Sequence, residues 1–173
     1  VSIDKRYEGQ AHKVAQSLGG AGQMMFNKYM LIASVEDNIR SFSVLGRLLR
    51  RVDLERDVIR TEGILDVLDH ATATCGFGGK LAIDLTGINP NSPVEPISAP
   101  RTATPCDGIS LFDTRFTEEY GLLLLFADEC RPAKVDVEEY LRENNLHNIK
   151  YIALLDYQAA GPMTPSDLLW LAM

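Results

Sequence analysis

Residues 10–52 read QAHKVAQSLGGAGQMMFNKYMLIASVEDNIRSFSVLGRLLRRV, and the period of their hydrophobic pattern changes twice. Across residues 10–18 the apolar side chains Ala11, Val14, Ala15 and Leu18 recur at helical spacing, and Gly19-Gly20 closes the pattern. Residues 29–33, Tyr-Met-Leu-Ile-Ala, form a nearly all-apolar run of strand length. Ser41 then stands as an N-cap, and Phe42, Leu45, Leu48, Leu49 and Val52 make a stripe that faces a core. Helix, strand and helix follow one another with short connections, which is the beginning of an α/β layout.

The same reading extends outward. Residues 1–3 end a strand, residues 58–61 form a short one, and residues 81–85 form another after the Gly-rich stretch 76–79. Residues 88–108 hold five of the eight prolines among Asn, Ser and Thr, as an extended connector or covering loop does. Beyond them, residues 122–126 are continuously apolar, which predicts a strand covered on both faces. Asp136 with Glu139 opens a helix through Asn145 that buries Val137, Tyr140 and Leu141, and residues 149–155 form the next strand. Thr164-Pro165-Ser166-Asp167 starts a last helix over residues 168–173, too short to stand without a continuation. The expected fold class is α/β, with a mixed, mostly parallel sheet flanked by helices. The expected organisation is a domain over residues 1–87, a Pro-rich connector over 88–108, and an α/β extension over 109–173. That extension is expected to continue the same sheet, and both ends of the chain read as cut.

Composition narrows the function classes. The chain has 173 residues, 46% hydrophobic and 24% charged, which is ordinary for a folded domain with its own core. A net charge of −7 repels a phosphate backbone, so no nucleic-acid partner is expected. Arg47, Arg50 and Arg51, beside Asp53 and Glu55, read as a solvated face. No apolar run approaches the ~18 residues of a transmembrane segment, so none is expected. Cys75, Cys106 and Cys130 are a sparse, odd set that suits reduced thiols and a cytoplasmic location.

Spacing alone names no reaction. The glycines of residues 18–22 and 74–79 resemble phosphate loops, but one set follows a helix and the other precedes a strand. Turn and helix-end glycines are the reading there. His70 and Cys75 have no third or fourth metal ligand at a workable distance, while His12 and His147 stand alone. The acid pairs Glu118-Glu119 and Glu138-Glu139 flank elements on solvated surfaces.

Longer segments are more specific. SIDKRYEGQAHKVA over residues 2–15, GQMMFNKY over 22–29, and Arg50-Arg51-Val52-Asp53 followed by Asp57 occur in that order. Residues 65–85 follow, with Gly79-Lys80 and Asp84. Together they resemble the C-terminal part of the UbiD family of carboxy-lyases, the 3-octaprenyl-4-hydroxybenzoate and menaquinone type, over about residues 1–87. The resemblance implies a decarboxylase acting on a small aromatic or α,β-unsaturated acid, in ubiquinone or menaquinone biosynthesis or in aromatic-acid breakdown. It implies prenylated FMN as electron sink, with a divalent metal and potassium beside the flavin phosphate.

In such enzymes the catalytic glutamate–arginine–glutamate set, the metal ligands and most flavin contacts lie upstream. The resemblance therefore implies a missing N-terminal flavin-binding domain as partner, no catalytic acid and no metal ligand on this chain, and no cofactor bound to it alone. It also implies homo-oligomer contacts through a C-terminal domain, with the helix over residues 41–52 as a candidate face. Two positions carry over. Lys13 corresponds to a basic residue that reaches toward the flavin phosphate, against the plainer reading of a solvated lysine beside the Val14 stripe. Leu65 corresponds to an apolar lid over the substrate, against the plainer reading of a core leucine. Two other readings stay open: a non-catalytic α/β oligomerisation or interaction module, and a small-ligand domain using the C-terminal ends of its strands.

Overall fold

A computed structural model describes residues 1–69, 72, 74–97, 109–114, 116–127 and 136–156. The chain divides into two compact units, Val1–Ser92 and Pro93–Met173. The expected last helix over residues 168–173 with its start at Thr164, Cys106, Cys130, His70 and residues 98–108 of the expected connector lie outside the described residues.

In the first unit, β1 (Ser2–Ile3), β2 (Tyr29–Ser34), β3 (Val58–Ile64) and β4 (Phe77–Asp84) form one sheet in the order β1-β2-β4-β3. β1 and β4 run parallel to β2, and β3 is the antiparallel edge. This is the mixed, mostly parallel sheet the sequence predicts. Helix α1 (Gln10–Gly19) joins the parallel β1 and β2, and helix α2 (Phe42–Arg50) leads from β2 to the antiparallel β3. α1 starts after Gly9, whose φ of 79° is left-handed and cheap only for glycine. Its Ala11, Val14 and Ala15 pack on Ile32, Ile59 and Ala82. Leu48 of α2 and Val52, just past its end, pack on Ala33 of β2, Ile83 of β4 and Leu85, just past β4.

Several local expectations are corrected. Ser41 does occupy the N-cap position, yet its Oγ lies 3.2 Å from Ser43 Oγ and caps no backbone amide. The Gly76–Gly79 stretch is not all turn. Gly76, with a φ of 72°, makes the turn, while Gly78 and Gly79 are paired strand residues opposite Gly63 and Glu62. β3 likewise runs on to Ile64, because β4 offers it a partner along that whole length. The three arginines are no solvated face either. Arg50 is only 4% exposed, and Arg51 folds back to donate to the carbonyls of Arg47 and Ser92. Burial and like-charged neighbours lower the pKa of both Arg50 and Arg51.

In the second unit, β5 (Ile109–Asp113) pairs antiparallel with β6 (Leu122–Ala127), and β7 (Tyr151–Asp156) runs parallel to β6. The seven strands found among the described residues make a four-stranded sheet in the first unit and a three-stranded sheet in the second. β6 is covered on both faces. Leu123 and Leu125 meet Tyr140 of α4 (Val137–Glu143), while Leu124 and Phe126 meet Phe116 beside α3 (Thr117–Tyr120). That is why its sequence is continuously apolar. α4 is capped as expected: the Asp136 carboxylate accepts from Glu139 N at 2.9 Å.

Candidate functional site

The sheet of the first unit has two ends of different chemistry. At the C-terminal ends of the parallel strands, Ile3, Ser34 and Asp84 lead into loops rich in charge. Asp84 gathers them: its Oδ1 accepts from Thr86 N at 2.9 Å and from Thr86 Oγ1 at 2.5 Å, and its Oδ2 lies 3.4 Å from Lys5 Nζ. Its own amide donates to Asp57 O at 2.8 Å. Asp57 in turn holds Arg56 at 2.7 Å and accepts from Asp53 N at 2.9 Å. Hydrogen bonding and charge from Asp57 raise the Arg56 pKa.

Lys13 belongs to this end. It sits one turn into α1, its amide donating to Gly9 O at 3.1 Å, and it is exposed. Leu65 belongs to the other. It follows the last residue of β3, opposite the start of β4, and is 1% exposed. Its amide donates to Gly76 O at 2.9 Å, and its Cδ1 lies 3.2 Å from where a Cβ on Gly78 would stand. The eight-residue β4 separates the two positions by roughly 20 Å, so the structure does not bring them together.

At Leu65's end, between the last turn of α1 and the sheet, opens a cleft of about 270 Å³. Ala15, Met30, Ile59 and Ala82 give it apolar surface, and Gly19 and Gly20 form its helical rim. Lys80 reaches into it from β4. Its Nζ donates to the Met25 carbonyl, and burial lowers its pKa. Gly63 makes room for the stem, since a Cβ there would stand 3.2 Å from Lys80 Cε. Lys28, just before β2, is held by Asp69 at 2.9 and 3.1 Å, a pair that ties the β3–β4 connection to the sheet. No spacing pattern in the sequence marks this cluster, because Met25, Gly63 and Lys80 converge only through strand pairing. Among the described residues, no group of three or more His, Cys, Asp or Glu side chains is placed to hold a metal ion. No described helix is long and apolar enough to cross a membrane.

Fold and charge distribution define an α/β domain whose sheet carries polar loops at one end and, at the other, a cleft lined by carbon together with Lys28, Lys80 and Glu62. Residues 1–85 match the family model described as the 3-octaprenyl-4-hydroxybenzoate carboxy-lyase C-terminal domain, and this part of the chain belongs to that UbiD family. An uncharacterised protein of Aquifex aeolicus is 46% identical over 87 residues, which are 50% of this chain and 18% of that protein. Vanillic acid decarboxylase of Sedimentibacter hydroxybenzoicus in its open form is 27% identical, with 61% of this chain and 22% of that one covered and a TM-score of 0.47. The UbiD-class enzyme HmfF of Pelotomaculum thermopropionicum in complex with FMN is 25% identical, with 60% and 22% covered and a TM-score of 0.44. The chain thus spans about a fifth of the length of the relatives it matches.

Proposed function

We propose that this chain is the C-terminal, assembly and active-site-closing part of a UbiD-like decarboxylase. The reaction would remove CO2 from an aromatic or α,β-unsaturated carboxylic acid in quinone biosynthesis or aromatic-acid metabolism. One observation carries the reading: the family match over residues 1–85, which includes the SIDKRYEGQAHKVA segment. In this reading an N-terminal lobe binds prenylated FMN, and the flavin supplies the electron sink for loss of CO2. Divalent metal and potassium belong to that lobe too, and no step is assigned to a metal on this chain.

What the chain adds is positional. The exposed Lys13 ammonium, at the polar end of the sheet, is suited to meet a phosphate presented by the other lobe. Leu65, at the opposite end, is 1% exposed, so as a lid over the substrate it would first have to be uncovered when the lobes dock.

The test is reconstitution. The purified chain mixed with prenylated FMN is expected neither to retain the flavin through gel filtration nor to release CO2 from cinnamate or hydroxybenzoates. The same chain joined to a flavin-binding lobe of a UbiD-type enzyme is expected to do both. Decarboxylation by the chain alone would overturn the division of labour. Failure of every joined form, with the chain forming a stable dimer on its own, would favour the non-catalytic oligomerisation module.

A further inference from the structure

Among the described residues β3 is an outer edge of the first unit's sheet, paired with β4 on one side. Edges that must stay unpaired are usually blunted by proline, lysine or a bulge. β3 reads Val-Ile-Arg-Thr-Glu-Gly-Ile, with neither proline nor lysine, and its register with β4 is unbroken. That register fixes which backbone groups it offers. At the two ends of the ladder Asp84 N donates to Asp57 O at 2.8 Å, and Leu65 N donates to Gly76 O at 2.9 Å. Bonded and non-bonded pairs alternate along an antiparallel ladder, so the odd-numbered residues of 57–65 bond to β4. The amides and carbonyls of Val58, Arg60, Glu62 and Ile64 therefore point outward.

A second copy of the chain fits this edge in one register. Outward groups meet only when even-numbered residues face even-numbered ones, so a central two-fold axis falls on Arg60, Thr61 or Glu62. On Arg60 or Glu62 it would set like charges face to face, which is destabilising. On Thr61 it sets Arg60 against Glu62 of the second copy and Val58 against Ile64, each twice, and every outward residue is paired. Arg60, Thr61, Glu62 and Ile64 are exposed, and among the described residues neither Arg60 nor Glu62 forms an ion pair within the chain. The apolar stripe of α2 is less available, since Leu48 and Val52 are buried inside the unit. We propose that two copies of this chain join by antiparallel pairing of β3 with β3, centred on Thr61, so that two four-stranded sheets become one. The pairing gives the assembly part of the proposed function a surface. It needs neither flavin nor a second lobe, so either reading can fail while the other stands.

Sedimentation velocity of the full chain is expected to show a dimer. Arg60→Glu and Glu62→Arg each gather like charges around the axis and should weaken the dimer about tenfold or more. The two variants mixed in equal amounts again oppose unlike charges, and should form a heterodimer of near wild-type affinity. The double variant Arg60→Glu/Glu62→Arg should do the same with itself. Arg40→Glu, the same charge change as Arg60→Glu at an exposed position outside β3, should leave the dimer as it was. Circular dichroism of each variant establishes folding. In hydrogen exchange the amides of Val58, Arg60, Glu62 and Ile64 should be protected in the dimer and lose protection in the folded single variants, while Ile59, Thr61 and Gly63 keep theirs. A wild-type chain still monomeric at ~1 mM, a dimer indifferent to both reversals, a mixture that fails to re-form it, or equal loss in Arg40→Glu would each overturn the proposal.

Discussion

Replacing Leu65 by alanine is expected to destabilise the first unit by about 2–3 kcal/mol, and the figure can be built from the surroundings. The side chain is 1% exposed, so the lost methyl and methylene groups are all inside. Their transfer from water is worth about 0.8 kcal/mol per group, or roughly 2.4 kcal/mol for the change to alanine. A cavity adds to this where neighbours cannot move. Here one neighbour is Thr72, whose Cγ2 would stand 2.9 Å from a Cβ on Gly78 and so shares the space above that glycine with Leu65 Cδ1. Among the described residues Thr72 is held by its hydroxyl bonds to the Asp69 and Thr74 carbonyls, so partial collapse keeps the cost at the low end of the range for buried leucines. In urea, with a slope of about 1–1.5 kcal/mol per molar for a unit this small, the midpoint should fall by about 2 M. Amide-resolved unfolding separates this unit from the second. A midpoint lowered by less than about 0.3 M would mean that Leu65 contributes little to the core in solution, and the packing argument would fail.

Other expectations follow from the same geometry. Gly78→Ala should cost about 1–3 kcal/mol by overpacking against Thr72 and Leu65, and combining it with Leu65→Ala should cost less than the sum; strict additivity in urea melts would contradict the shared contact. Asp69→Asn leaves Lys28 without its half-buried partner and should lower stability by about 1–2 kcal/mol, with faster amide exchange in residues 65–69; exchange unchanged from wild type would show that the pair does not hold the connection. Burial pushes the Tyr151 phenol up to about 12 from its ordinary 10.0. The folded state therefore binds the proton more tightly than the unfolded one. Stability is unaffected below pH 10 and falls as pH rises from 10 toward 12. Ultraviolet titration should reveal a phenolate forming near pH 12 that Tyr151→Phe abolishes; a wild-type curve identical to that of the variant would rule this out.

What local pattern alone settled was the kind of element at each place and the family of the first half. The helical spacing of Ala11, Val14 and Ala15, the Phe42-to-Val52 stripe and the unbroken apolar run of residues 122–126 each report which faces must leave water. Such burial is dictated by side chains a few residues apart. Segment order carried the relationship to UbiD enzymes, again without any contact being known. Strand length was beyond this reading. Gly78 and Gly79 read as turn by propensity, and they are strand because β3 lies alongside with free backbone groups to pair. The arginines of α2 read as solvated because the Arg51–Ser92 carbonyl contact joins residues far apart in the chain. For the same reason, sequence could name Lys13 and Leu65 but not place them at opposite ends of one sheet. Nor could it show what surrounds Lys80, whose cleft depends on a glycine across the hairpin and a carbonyl before β2. Only tertiary structure decides which distant groups share a small volume, because pairing and packing, not periodicity, set those distances.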